Sequence, residues 1–295
     1  MNWLAQLGIR FAAKPAQPET DPFVPGAGPD FLCVGAQKAG TTWLYHQLAA
    51  HPDFWMPPRK ELHYFNERGH APATTTPRNQ DERDVRFFEK LQRLGTQHWL
   101  DLENYGQLFA AKGSLLSGDI TPAYCMLPDE IIGIIMRYFP RLKVIFMARD
   151  PVERAWSQLS LAVRKGGIPA FDVTDPEEVI PQLLHPLVVL RSSPSTIAAR
   201  WRRQVAADQL RIFFFDELQN NPAELGRSVI AFLGGDPEKP GGRLRPEQNS
   251  GAAKEKLPLS AEVRAALVKF FARELQACAA ELGGPATTWP ARYGL

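Results

Sequence analysis

The residues best suited to chemistry begin at Gly35-Ala36-Gln37-Lys38-Ala39-Gly40-Thr41-Thr42. A glycine-bounded stretch between an apolar run and a helix-spaced segment leaves backbone N–H groups at a helix amino end, where the dipole favours an anion. Gly35 and Gly40 have the separation of triphosphate-binding loops, but Thr41 follows the second glycine where such loops carry lysine. The lysine is Lys38 instead. A kinase or NTPase would also need an acid on another strand to help hold magnesium, and none stands out. A lysine inside the loop is better placed to neutralise a bridging oxygen near a 5′-phosphate. The bland alternative is a glycine turn with a helix-capping threonine. Arg149 and Ser157 offer a second anion site. An arginine ending an apolar run and a hydroxyl about two helical turns onward can converge on one phosphate, one contact forked and charged, the other neutral. Read alone, that pair fits a structural arginine beside a proline equally well.

These residues need a frame. Phe31 to Val34, Lys143 to Met147 and Leu210 to Phe215 read as strands, with a shorter one over Phe54 to Met56. Helical spacing follows over Thr41 to Ala50, Pro151 to about Arg164, and Pro222 to Leu233. Alternation of this kind predicts an α/β fold, a central mainly parallel sheet between helices, with ligands at the carboxyl ends of the strands. The loops at Gly35 to Thr42 and Arg149 to Pro151 would then share one edge.

With 295 residues, 44% of them hydrophobic, one large domain over 30–295 is expected. Lys14 to Pro29 carries five prolines and two glycines, the composition of a tether. Ahead of it, Trp3, Leu4, Leu7 and Phe11 suggest a short amphipathic helix over Met1 to Phe11, docked on its own domain or a partner, or making peripheral membrane contact. No run reaches the ~18–20 apolar residues of a transmembrane segment. A net charge of +2 gives no reason to expect a nucleic-acid polymer as partner, so any anion site is local. Cys33, Cys125 and Cys278 have neither zinc-ligand spacing nor an even disulfide count, which points to a reducing, cytoplasmic setting. Ala71 to Asn79, Gly166 to Pro176 and Asp236 to Gly251 read as surface loops.

The stretch Gln37-Lys38-Ala39-Gly40-Thr41-Thr42-Trp43-Leu44 resembles the phosphosulfate loop of sulfotransferases that use 3′-phosphoadenosine 5′-phosphosulfate (PAPS) and release 3′-phosphoadenosine 5′-phosphate (PAP). Arg149-Asp150-Pro151-Val152-Glu153-Arg154-Ala155-Trp156-Ser157 looks like that family's 3′-phosphate segment, its arginine falling on Arg149 and its serine on Ser157. The likeness runs through most of Asp30 to Gly283. It implies a three-layer α/β/α, P-loop-like fold, with Lys38, Ala39, Gly40, Thr41, Thr42, Trp43, Arg149 and Ser157 at the donor, and no required metal.

Lys60-Glu61-Leu62-His63-Tyr64-Phe65 resembles a stretch of the glycan-type sulfotransferases whose glutamate is the base, which implies Glu61 in that role. His63 is the rival, because imidazole titrates near neutral pH; it is also compatible with a partly buried histidine bonded to backbone. If strand alternation held, Glu61 and His63 would face one side and Lys60 and Tyr64 the other. Lys60 could meet sulfate or merely pair with a carboxylate. Gly118-Asp119-Ile120-Thr121-Pro122-Ala123-Tyr124 looks like the family's segment near the acceptor, but Ile120 stands where heparan-type enzymes often have lysine, which argues against an anionic glycan. Arg191 to Trp201 lacks an expected Gly-x-Tyr pair, and Asn249 to Lys256 only partly matches a loop that closes over the donor, where Lys254 or Lys256 could reach the nucleotide, although a solvated loop lysine is the simpler account. The acceptor could be a glycan, a lipid or a small metabolite, sulfated on oxygen or nitrogen. A P-loop kinase and a non-catalytic PAP-binding interaction protein are the competing functions. Oligomeric state is not legible.

Overall fold

The structure, a computed structural model, describes residues 26–66, 82–95, 100–166, 172, 175–241 and 257–295. The expected helix over Met1 to Phe11, most of the tether, the loop at Ala71 to Asn79 and the loop at Asn249 to Lys256 lie outside the described residues, as do the larger parts of the other two loops.

Among the described residues, four short strands form the sheet: β1 (Phe31–Cys33), β2 (Gly118–Ile120), β3 (Lys143–Ala148) and β4 (Leu210–Phe214). All pair in parallel in the order β2-β1-β3-β4. Phe31 to Cys33 and Val144 to Ala148 are almost wholly buried, as expected of parallel strands covered on both faces. Gly118 lies against β1 so closely that a Cβ there would come within 2.5 Å of the Phe31 carbonyl oxygen.

Helices complete a three-layer α/β/α arrangement: α1 (Thr41–Ala49), α2 (Glu82–Gly95), α3 (Leu102–Gln107), α4 (Asp129–Tyr138), α5 (Pro151–Arg164), α6 (Pro176–Leu183), α7 (Pro186–Arg191), α8 (Pro194–Arg202), α9 (Phe215–Asn220), α10 (Pro222–Leu233) and α11 (Ala261–Leu282). Pro151 sits in the first turn of α5, where a missing N–H is harmless, and Asp150 caps it by accepting from the Val152 amide at 2.9 Å. Val263, Leu267, Phe271, Leu275 and Cys278 make the buried stripe of α11, which packs on α5, α6 and α8.

Two expectations need correction. Phe54 to Met56 is not a strand but a single parallel bridge from Phe54 to Leu116, because Pro57 and Pro58 follow and cannot donate to a ladder. Lys60 to Phe65 is not extended either. Glu61 (φ 65°) and His63 (φ 56°) are both left-handed, which breaks the alternation.

Candidate active site

The first loop grows directly out of the sheet. Beyond Cys33 the chain stays bonded to β3, with Val34 N to Ile145 O at 2.9 Å and Ala36 N to Met147 O at 2.8 Å. Lys38 (φ 72°) and Gly40 (φ 90°) then turn the chain into α1. Glycine suits this N-cap, since any side chain there would be strained at φ 90° and its Cβ would have to displace the Leu218 methyl that lies 2.5 Å away. No side chain caps α1. The amides of Thr41, Thr42 and Trp43 therefore have no partner within the helix and stand at its positive end, where an anion would be favoured.

The second motif meets the first. Arg149 Nη1 donates to the Lys38 carbonyl at 2.6 Å, while the guanidinium lies 4.2 Å over the ring of Phe215. Arg149 is 4% exposed, and its Nε finds no acceptor among the described residues. Arg154, fully buried, forks to the Gln37 carbonyl at 3.3 Å, Ser192 Oγ at 2.6 Å and the Val188 carbonyl at 3.2 Å. Two cations thus hold two successive loop carbonyls. Burial, then the neighbouring charge of Arg149, lowers Lys38 to about 8. Ser157 lies half-buried two turns along α5.

At the other loop, Glu61 is flanked on both sides. Lys60 Nζ contacts Oε1 at 2.6 Å and His63 Nε2 contacts Oε2 at 3.4 Å. Glu61 and His63 do come together, but through a turned backbone and not by strand alternation, and the same turn brings Lys60 to that side. Burial alone would push Glu61 up; the hydrogen bond from His63 and the charge of Lys60 outweigh it and hold the carboxyl at about 2. His63 Nδ1 meets the Asn66 side chain at 3.1 Å to its Nδ2. Beneath the loop, Asp119 accepts from Thr121 Oγ1 at 2.6 Å, Tyr124 OH at 2.7 Å and Tyr105 OH at 3.0 Å.

A cavity of about 230 Å³ opens beside Arg149, lined also by Glu153, Phe215, Gln219, Arg264 and Tyr293. Lys38, Glu61 and Ser157 do not line it. The C-terminal segment closes one wall. Tyr293 OH donates to Asp150 at 2.9 Å, Trp289 Nε1 donates to Asp216 at 3.3 Å, and Arg292 pairs with Asp216. Burial pushes Asp150 up to about 6, against the opposing bond from Tyr293.

Sequence reasoning missed Arg154, the Asp119 cluster and this terminal staple. For Arg154 a signal was available: a charged residue among Val152, Ala155 and Trp156, on the side of α5 that turns inward. Among the described residues no group of three or more His, Cys, Asp or Glu is placed to hold a metal, no helix is long and apolar enough to cross a membrane, and the three cysteines are buried and unpaired.

A family model described as "Sulfotransferase family" matches residues 29–238. The chain is 30% identical over 136 residues, 46% of its length, to the membrane-associated sulfotransferase kil1 of Dictyostelium discoideum. It is 25% identical over 222 residues, 70% of its length, to the human bifunctional heparan sulfate N-deacetylase/N-sulfotransferase 2. These matches span only 23% and 22% of the two relatives. Among solved structures, a sulfotransferase from Alicyclobacillus acidocaldarius superposes with a TM-score of 0.64 at 25% identity, covering 89% of this chain and 99% of that one. Mouse sulfotransferase SULT7A1, complexed with PAP, shares the fold with a TM-score of 0.52 at 13% identity, over 90% of this chain and 89% of its own.

Proposed function

The chain belongs to the sulfotransferase family, and from that premise we propose that it moves a sulfuryl group from PAPS to an acceptor hydroxyl or amine, with Glu61 as base. The observation that carries this reading is the bond from Arg149 to the Lys38 carbonyl. It joins two anion-binding segments, far apart in the sequence, into one unit suited to a donor with phosphate at both its 5′ and 3′ positions.

Each residue then has a task. Lys38, Ala39, Gly40, Thr41, Thr42 and Trp43 make the donor loop. Its first-turn amides hold the 5′-phosphosulfate, and the Lys38 ammonium stabilises the bridging oxygen as the sulfur–oxygen bond breaks and PAP leaves. Arg149, with Ser157 farther along α5, takes the 3′-phosphate. As the acceptor oxygen or nitrogen bonds to sulfur, its proton passes to Glu61. A carboxylate held near 2 is a weak base. An arriving anionic sulfuryl group that drew Lys60 from Glu61 would raise its proton affinity, and His63 is the neighbour positioned to share the proton. No step calls for a metal.

The acceptor class is a glycan, a lipid or a small metabolite. By resemblance, heparan-type enzymes often carry lysine where this chain has Ile120, which favours a neutral acceptor. Calorimetry tests the donor: PAP should bind without magnesium, whereas magnesium-dependent ATP binding with no PAP binding would instead make the protein a P-loop kinase. Isotopic PAPS offered to pooled glycans, lipids, phenols and hydroxylated metabolites then identifies the acceptor class.

A further inference from the structure

We propose that Asp119 is a positioning residue for the proton-accepting loop: through the hydroxyls of Thr121 and Tyr124 that it holds, it grips two successive backbone amides and so fixes Glu61 and His63 in their left-handed conformations. This rests on the reading of Glu61 as base.

The two amides are those of His63 and Tyr64. The His63 amide makes a long 3.5 Å contact to Thr121 Oγ1, and the Tyr64 amide donates to Tyr124 OH at 3.0 Å. Both hydroxyls spend their hydrogens on Asp119, so their lone pairs are what they can offer the loop. The direction of the network is thus set by one buried carboxylate into which the hydroxyl donors point. Tyr105 adds a third hydroxyl, and its ring stacks on Tyr64 at 4.9 Å, which supports the loop from the side.

Asp119 itself cannot drift. It sits within β2, opposite Leu32 of β1, and is 1% exposed. Among the described residues no ion pair neutralises it, so its burial is met by hydrogen bonds alone, and burial still pushes its carboxyl above the ordinary range. Non-glycine residues hold positive φ only where surroundings over-determine them. Here the surroundings are the Asp119 cluster, and the residues so held are Glu61 and His63.

Asparagine at 119 keeps the shape but turns an NH2 toward donors, so at least one of these bonds must fail. In single-turnover assays, Asp119→Asn should slow transfer at least about tenfold while PAP affinity changes less than about twofold. In a Glu61→Gln background the same change should add less than about threefold, because both act through one carboxylate. Equal losses in the two backgrounds, or a matching fall in PAP affinity, would overturn the proposal. Near-normal turnover by Glu61→Gln alone would overturn the base reading and this proposal with it, whatever Asp119 does. Lost turnover in Glu61→Gln with none lost in Asp119→Asn would overturn the proposal alone. Should Asp119→Asn not fold, Tyr124→Phe removes only the hydroxyl between the carboxylate and the Tyr64 amide. A fall of about threefold in transfer is expected there, and an unchanged rate would count against the proposal.

Discussion

Two loops at the carboxyl edge of the sheet are held in opposite electrical senses. At Gln37 and Lys38, buried guanidiniums from Arg154 and Arg149 take the loop's carbonyls, which leaves first-turn amides to meet an anion. At His63 and Tyr64, hydroxyls held by a buried carboxylate take the amides, which leaves side chains to do the work. Both loops carry left-handed residues, Lys38 and Gly40 in one, Glu61 and His63 in the other. On the proposed function, the contrast assigns the 5′-phosphosulfate to backbone amides and acceptor activation to side chains, with the side chains of Lys38, Arg149 and Ser157 completing the donor site.

The largest expected effect is that of Lys38→Ala, which should lower turnover at least about a hundredfold by removing charge opposite the leaving oxygen. Initial rates at saturating donor would show it. Next comes Arg154→Met, expected to weaken PAP binding about tenfold in calorimetry by freeing the Gln37 carbonyl. Arg154→Lys should not restore it, because an ammonium cannot fork to three acceptors on different elements. If either Arg154 change slowed transfer without touching PAP affinity, the division between the loops would fail. A subtler effect concerns pH. Lys38 sits at about 8 and must be cationic, so it loses its charge as pH rises through that value. The donor kcat/KM should therefore be highest below pH 8 and fall above it, and Lys38→Arg should move that limb upward. The smallest effect is a control. Arg203 pairs with Asp129 at 2.7 Å on the surface and bonds to neither loop. Arg203→Ala should change stability by less than about 1 kcal/mol in thermal unfolding and leave turnover intact.

Local patterns in the sequence carried much of this. The apolar run into Gly35 and the helical spacing after Gly40 exposed the first loop, because strand, glycine and helix each leave a short-range mark. Pro222 and Gly234 bracket α10 as N1 and C-cap residues should. The second loop was legible in residue type but not in shape. Lys60 to Phe65 reads as extended, and only the grip of Asp119, Thr121 and Tyr124, nearly sixty residues away, bends it. Arg154 was hidden for the same reason, since its partners lie on the donor loop and around α7. The staple of Arg292 and Tyr293 onto Asp216 and Asp150 likewise depends on contacts with no local signature.

The division of labour is tested most directly by Glu61→Gln, comparing single-turnover transfer at saturating PAPS with PAP affinity. A fall in transfer of at least about a hundredfold at unchanged PAP affinity is the predicted result. Near-normal transfer would contradict it and move the proton acceptor to His63.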